Sequence, residues 1–194
     1  ELVKAGFIYH GKKPVSWCAV CETALAEAEV EYEARQDTSI FVEFPIKHIA
    51  PGVVLQEGWE QASVVVWTTT PWTLPANVAL CFHPEASYSL VVARKDGHQK
   101  RLVLATALVE GVLRKMGFEI VETKRSIHGK TLAQQLVGDA PTLICQGPFG
   151  GESIGVTDES VSLQEGTGVV HIAPGHGHED YLIGQRCKLS VLSP

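Results

Sequence analysis

Hydrophobic and polar residues alternate along much of this chain with the two-residue period that is typical of half-buried β-strands. One stretch, 63–67, is apolar after Ser63 and rich in β-branched residues, which predicts a fully apolar strand. The pattern as a whole predicts strands at residues 28–34, 40–46, 63–67, 78–82, 88–94, 101–106, 118–123, 142–145 and 169–173.

Helical patterns are fewer. Residues 107–116 show the clearest one, with Gly117 as its stop signal. Shorter helices are predicted over 131–137 and 178–188, the latter with two acidic residues in its first turn.

Two glycine-containing segments predict interruptions between strands. Asp96-Gly97 is a turn signal within a loop longer than two residues, and 147–155 is interpreted as a long glycine-rich loop. Short, evenly spaced strands with few peripheral helices predict a mostly β domain, and a small barrel or sandwich fits better than a doubly wound sheet.

Two distant segments stand out because each begins as an apolar strand and then breaks at proline. The first, 67–77, reads Trp-Thr-Thr-Thr-Pro-Trp-Thr-Leu-Pro-Ala-Asn. The second, 166–181, reads Gly-Thr-Gly-Val-Val-His-Ile-Ala-Pro-Gly-His-Gly-His-Glu-Asp-Tyr. Sites are often built on loops that rigid strands hold, so the two segments are interpreted as the two walls of one pocket.

The first segment offers hydroxyl groups and an aromatic ring. Thr68, Thr69 and Thr70 could hold a ribose, a phosphate or a water, although three β-branched residues also suit a strand end. Trp72 could stack on a base or plug one end of a barrel. Asn77 binds a ligand or, more simply, caps the turn.

The second segment offers an imidazole inside an apolar strand and a carboxylate beyond a glycine-rich turn. His171 is more typical of a lining residue than of a catalytic base, and Asp180 could pair with a substrate ammonium or serve only as a helix N-terminal charge. Ligand types for a metal occur nearby, but their spacing matches no zinc signature, so no catalytic metal is expected. They are His171, His176, His178, Asp180 and Cys187.

Composition narrows the class of protein. The 194 residues include 45% hydrophobic residues, enough for a core without disulfides, and five cysteines at irregular spacing favour a reducing compartment. A formal net charge of −6 argues against a domain that binds nucleic acid without the help of other domains. No apolar run is long enough to span a membrane.

The sequence carries no nucleophile elbow and no Walker loop. An enzyme built from these residues would therefore position a water against an already activated bond.

The quoted motifs resemble those of the editing domain of isoleucyl-tRNA synthetases. Besides the two segments, Trp17-Cys-x-x-Cys21 and the run 24–32 resemble the entry to that domain, whereas 95–165 carries no matching motif. Valyl and leucyl enzymes carry related domains but typically have arginine where this chain has Thr70, which favours the isoleucyl family. The resemblance implies a small closed β-barrel of the class I synthetase editing-domain type.

The resemblance also implies hydrolytic proofreading. Isoleucyl-tRNA synthetase is the standard example of a site in which a missing methylene is worth only ~1–3 kcal/mol, so that a second site must remove valine from the isoleucine tRNA. By this resemblance Asp180 holds the ammonium of valine, and His171 excludes isoleucine by size. The threonines hold the terminal ribose and order a water, and the remaining substrate-binding residues are Trp72, Asn77 and Ala173.

The same resemblance implies the domain bounds, the cellular location, the partners and the cofactors of the chain. Residues 1–194 are taken as one editing domain cut from a larger cytoplasmic or organellar synthetase, with 1–26 and 188–194 as junction segments. The expected partners are the 3′ end of the isoleucine tRNA carrying valine and the other domains of the parent enzyme, and the domain is expected to be a monomer. Editing should need no cofactor, and Cys18 and Cys21 are half of a possible structural zinc site in the parent.

Three alternatives stay open. One is a non-catalytic barrel that binds the tRNA end, another is an editing domain of a valyl or leucyl enzyme, and the third is a metallohydrolase that uses the histidines of the second segment. The hypothesis of an editing domain allows hydrolysis of valyl-adenylate as well as of the valyl-tRNA ester.

Overall fold

The computed structural model describes residues 1–8, 10–34, 36–51, 53, 57–124, 126–133 and 140–192. Its strands are β1 (Trp17–Cys18), β2 (Thr23–Ala24), β3 (Ile40–Ile49), β4 (Ser63–Thr68), β5 (Ala79–Phe82), β6 (Ser87–Lys95), β7 (His98–Ala105), β8 (Glu119–Thr123), β9 (Ile127–His128), β10 (Leu143–Gln146), β11 (Glu152–Thr157) and β12 (Val169–Ile172). The α-helices are α1 (Val109–Met116), α2 (Gly129–Leu132) and α3 (His178–Arg186). Short 3₁₀ helices span Glu27–Glu29, Trp59–Gln61, Pro71–Ala76 and Thr106–Leu108.

The mostly β architecture with few helices is as predicted. Within the described residues β1 and β2 form a hairpin, and a large sheet runs in the order β12-β5-β11-β10-β3-β4-β7-β6-β8, with β9 also paired to β6. The predicted closed barrel is not supported, because this ladder does not return from β8 to β12. Instead the sheet curls, and β12 lies beside β4 without pairing to it.

Strand β4 shows why residues 64–67 are apolar. Val64 and Val66 pack into the main core with Phe44, while Val65 packs on the other face, in the cluster under α1. Both faces of this strand are therefore covered, and the strand ends at Thr68, where the first segment begins.

The predicted turn at Asp96-Gly97 is confirmed, but the loop is shorter than expected. Lys95 pairs with His98, so the hairpin has only two loop residues. Asp96 and Gly97 have φ angles of 50° and 79°, the left-handed pair that a tight hairpin of this kind requires. Helix α1 ends as predicted at Gly117, whose φ is 76°.

Two predicted elements are wrong. The alternating stretch 28–34 forms no strand: it begins within the 3₁₀ helix Glu27–Glu29, and Tyr32 is 93% exposed, because no neighbouring strand covers its apolar side chains. The long loop predicted over 147–155 ends early, since β11 begins at Glu152. Gly155 is a close-packing residue there, because a Cβ would lie 3.0 Å from the Cβ atoms of Ala133 and Leu143.

The helix predicted over 131–137 is partly described. Helix α2 covers Gly129–Leu132, and residues 134–137 lie outside the described part of the chain. Among the described residues, no helix has both the length and the apolar character needed to cross a membrane.

Candidate functional site

One cavity of about 490 Å³ brings the two segments together as opposite walls. The first wall follows the end of β4, and the second comprises β12, the loops on either side of it and the first turn of α3. The cavity is lined by Trp67, Thr68, Thr69, Thr70, Thr73, Ser160, Ser162, Glu165, Gly166, Thr167, Gly168, Val169, Val170, His171, His176, Gly177, His178, Glu179 and Asp180.

The first wall carries Thr68, Thr69 and Thr70 and is called the threonine wall below. Its hydroxyl groups lie at two depths. Thr68 is buried, and its hydroxyl oxygen accepts the backbone N–H of Thr70 at 3.0 Å and lies 3.3 Å from the Thr70 hydroxyl. Thr69 and Thr70 are exposed to the cavity. Pro71 then starts a 3₁₀ helix, so the hydroxyl-bearing backbone leaves the sheet and is free to face a ligand.

His171 is buried in the second wall, and a single hydrogen bond determines its tautomer. Its Nε2 atom lies 3.1 Å from the hydroxyl of Thr73, which also lies 2.8 Å from the carbonyl oxygen of Thr70. A carbonyl can only accept, so the Thr73 proton goes to Thr70 and His171 donates through Nε2. Atom Nδ1 is then an unprotonated acceptor, buried and without a hydrogen-bond partner in the described chain.

Burial lowers the pKa of His171 to about 4, so the ring is neutral near pH 7. A neutral ring whose Nε2 proton is already donated suits a lining residue better than a catalytic base.

Asp180 is the carboxylate of the second wall, held in the first turn of α3. Its Oδ2 atom accepts the backbone N–H of Ala173 at 2.8 Å. Burial is the main cause that raises the pKa of Asp180, and the Ala173 hydrogen bond acts in the opposite direction. Atom Oδ1 has no hydrogen-bond partner among the described residues, so it is available to a ligand.

The charged residues of the cavity are of one sign. Glu165, Glu179 and Asp180 line it, and among the described residues no lysine or arginine does. This environment favours a cationic group, such as an ammonium, and disfavours a phosphate.

Three predicted substrate-binding residues lie outside the lining. Trp72 is 63% exposed at the start of the 3₁₀ helix Pro71–Ala76. Asn77 is buried, where its amide donates to the Ala79 carbonyl at 2.9 Å and accepts the Ser153 hydroxyl at 2.7 Å. Ala173 is buried and contributes its backbone N–H to Asp180. Their contacts with substrate remain predictions.

Sequence reasoning missed four polar lining residues: Thr73, Ser160, Ser162 and Glu165. Thr73 could have been found, since it lies three residues after Thr70 in a proline-started turn, where side chains reach back to the carbonyl. The others come from residues 158–165, the part of the loop between β11 and β12 that precedes the second segment and carries no motif.

A second cavity, of about 640 Å³, lies elsewhere on the sheet. It is lined by Ile40, Phe41, Glu43, Lys95, Asp96, His98, Lys100, Met116 and Phe118. No residue of the two segments takes part in it.

The cysteine pair occupies the β1–β2 hairpin. The thiol sulfur of Cys18 accepts the backbone N–H of Cys21 at 3.3 Å, and this hydrogen bond is the largest cause that lowers the pKa of Cys18. Together, Cys18 and Cys21 fit two of the four ligands of a structural zinc site. The described residues contain no group of three or more His, Cys, Asp or Glu placed to hold a metal, so the remaining ligands would have to come from elsewhere.

Comparison with known proteins shows that the chain belongs to the class I tRNA synthetases. Residues 1–170 match the family model of class I tRNA synthetases for isoleucine, leucine, methionine and valine. The fold is similar to that of the solved GlLeuRS-CP1 structure, with a TM-score of 0.56 and 12% identity over 76% of this chain and 59% of that chain.

The particular family follows from curated relatives. Isoleucine–tRNA ligases of Desulforamulus reducens, Moorella thermoacetica and Bacillus subtilis are 45%, 45% and 41% identical over 100% of this chain. The chain belongs to the isoleucyl-tRNA synthetases of class I. It spans 19% of the length of these relatives.

Proposed function

We propose that this region is the hydrolytic editing domain of its synthetase and removes valine from the isoleucine tRNA. The observation that carries the proposal is a single cavity that joins an anchored carboxylate, Asp180, to the hydroxyls of Thr68, Thr69 and Thr70. Membership of the isoleucyl-tRNA synthetase family and a CP1-type fold support this interpretation.

The substrate ammonium binds Asp180. The cavity lacks a lining cation among the described residues, and atom Oδ1 has no hydrogen-bond partner there, so a charge-assisted hydrogen bond to the α-ammonium compensates the half-buried carboxylate. This contact fixes the amino acid at the second wall and directs its ester towards the threonines.

The threonine wall holds the terminal ribose and the attacking water. Thr69 and Thr70 present exposed hydroxyls, and the bond between Thr70 and Thr68 fixes their backbone. The water oxygen adds to the ester carbonyl carbon, the bond from that carbon to the ribose oxygen breaks, and a proton of the water passes to the ribose oxygen, so that valine and free tRNA are released. Because the ester is already reactive, positioning and polarisation suffice.

His171 limits the size of the side chain. The ring is buried, neutral and fixed by Thr73, so it forms a rigid boundary for a branched aliphatic group. Valine fits against it, whereas the additional methylene of isoleucine clashes. The exposed ring of Trp72 lies on the adenosine side, and Asn77 shapes that side by holding the starts of β5 and β11.

In this proposal the domain acts within a cytoplasmic synthetase, whose other domains supply most of the affinity for tRNA. The net charge of −6 supports this division, since a strongly acidic domain attracts little tRNA by itself.

The test is ester loss from valine and from isoleucine, each attached to the isoleucine tRNA, at high domain concentration. Selective loss of valine, unchanged by a chelator, is the expected result. Loss that disappears with the metal would favour a metallohydrolase instead. Tight binding of the tRNA end without loss of either ester would contradict the hydrolytic role.

A further inference from the structure

Tyr88 connects the centre of the sheet to one wall of the cavity. It lies on β6 and is fully buried, with its ring edge-on to Phe82 at a centroid distance of 5.1 Å. Its hydroxyl lies 2.6 Å from the carbonyl oxygen of Gly168 and 2.8 Å from the backbone nitrogen of His83. A backbone N–H can only donate, so the hydroxyl accepts from His83 and donates to Gly168.

The residue that Tyr88 holds belongs to a glycine wall, defined here as residues 166–168. All three residues line the cavity, and both glycines have positive φ angles, 71° at Gly166 and 72° at Gly168. A Cβ on Gly168 would lie 2.4 Å from the Cβ of Ala105, so this backbone approaches β7 more closely than any other residue type allows.

A second hydrogen bond attaches the same wall. The backbone N–H of Ala105 donates to the carbonyl oxygen of Thr167 at 2.9 Å. The glycine wall is therefore held by one side-chain bond to β6 and one backbone bond to β7. On the other side of the glycine wall, a Cβ on Gly166 would lie 3.1 Å from the ring of Trp67, which belongs to the first segment (67–77).

This arrangement relates Tyr88 to the width of the cavity. The glycine wall leads directly into β12, which carries His171, and the first segment (67–77) lies across the cavity from it. If the Tyr88 hydroxyl is removed, the buried carbonyl of Gly168 and the half-buried backbone N–H of His83 both lose their partner, and the wall can move. The proposed function does not require Tyr88 to touch the substrate.

We propose that Tyr88 is a positioning residue whose hydroxyl fixes the glycine wall and thereby sets the size selectivity of the cavity. The part that concerns selectivity rests on the proposed function, whereas the part that concerns the wall does not. Tyr88 acts through Gly168 and is therefore no catalytic residue.

The test compares Tyr88→Phe with Ser89→Ala in the whole domain. Both changes delete one buried hydroxyl from β6, but the Ser89 hydroxyl bonds to Thr106 and to no residue of the glycine wall. The first readout is amide hydrogen exchange at Ala105, whose N–H holds Thr167. The second is the ratio of kcat/KM for valyl and isoleucyl esters, with the KM and kcat of each.

Tyr88→Phe should accelerate exchange at Ala105 by about tenfold or more and lower the valine-to-isoleucine ratio by about 5- to 10-fold, mainly through faster isoleucine loss. Ser89→Ala should change neither. Unchanged exchange in Tyr88→Phe, or an equal fall of the ratio in Ser89→Ala, would overturn the proposal. If the wild type hydrolyses neither ester, the proposed function fails, while the exchange data still decide whether Tyr88 fixes the wall.

Discussion

The two cavities of this domain differ more in their unpaired polar groups than in their size. The larger one, of about 640 Å³, has an apolar floor that includes Phe41, Met116 and Phe118. Its lysines are already engaged: Lys100 pairs with Glu43 at 2.7 Å, and Lys95 donates to the Met116 carbonyl at 2.8 Å and lies 5.5 Å from the centre of the Phe118 ring.

The smaller cavity, of about 490 Å³, holds groups that the described chain leaves unsatisfied. His171 has a buried Nδ1 without a partner, and burial raises the pKa of Asp180 while one of its oxygens has no hydrogen-bond partner among the described residues. The buried Nδ1 of His171 costs free energy because it has no partner, and the free oxygen of Asp180 is placed to take a cationic ligand. By the criterion of unpaired polar groups, the smaller cavity is the better candidate for a functional site, although the other cavity has the larger volume.

The largest expected difference between the cavities concerns a carboxylate in each. Asp180→Asn should reduce valyl-ester hydrolysis roughly 10- to 150-fold, since a hydrogen bond to a charged group is worth about 1.5–3 kcal/mol. The matched change Asp96→Asn in the larger cavity should leave the rate unaltered, because asparagine also suits the left-handed φ of that turn. Steady-state deacylation of both variants, with circular dichroism as a folding control, measures this difference. Full activity in Asp180→Asn would remove the ammonium role.

A pair of histidine variants provides the next comparison. His171→Ala should raise isoleucyl-ester hydrolysis roughly tenfold while valyl-ester hydrolysis changes less, because the boundary that rejects one methylene is removed. His98→Ala, in the larger cavity, should leave both esters as in the wild type. Single-turnover assays with the two esters provide the measurement. Continued protection of isoleucine in His171→Ala would place the size limit on other residues.

The stability of the domain should respond to pH through His171. Its pKa is about 4 when folded and 6.5 ordinarily, so between these values the unfolded chain binds more protons. The free energy of unfolding should therefore fall as pH drops from 6.5 towards 4, by up to about 1.4 kcal/mol per pH unit. Asp180, whose pKa is raised, acts with the opposite sign and costs stability as pH rises above 3.8.

Urea unfolding of the wild type and of His171→Gln between pH 4 and 7 isolates the histidine, because the contribution of Asp180 is shared by both proteins. The stability difference between the two should change with pH in this window. A constant difference would mean that His171 does not titrate as its burial predicts.

The smallest effect is expected in the larger cavity. The Lys100–Glu43 pair is partly exposed, and such pairs typically couple by about 0.2–1 kcal/mol. A double-mutant cycle with Lys100→Met and Glu43→Gln, followed by thermal unfolding and deacylation, should give a coupling of this size and unchanged ester hydrolysis. An altered valine-to-isoleucine ratio would mean that the larger cavity takes part in the reaction.

How much of the fold was predictable depended on how far each pattern reached along the chain. Strands such as β3 and β4 were predicted because their own residues alternate or are β-branched. The stretch 28–34 has the same alternation but pairs with no strand in the described part of the chain, so a local pattern alone was misleading. Strand β11 was missed because Gly155 resembles a loop residue, although close packing against Leu143 explains it.

The candidate site divided in a similar way. Thr68, Thr69, Thr70, His171 and Asp180 were predicted from two segments and do line one cavity. The bonds that hold them were not predictable. Thr73 and His171 are 98 residues apart, and the donor to Asp180 is a backbone N–H that no side-chain pattern can reveal. The open sheet in place of a closed barrel depends on pairings that a single sequence does not specify.

The most direct measurement is a crystal structure of the domain with a valyl-adenosine analogue in which an amide replaces the ester. We expect the analogue in the smaller cavity, with its ammonium about 3 Å from Asp180 and its side chain towards His171. Density in the larger cavity, or an ammonium that contacts neither oxygen of Asp180, would contradict it.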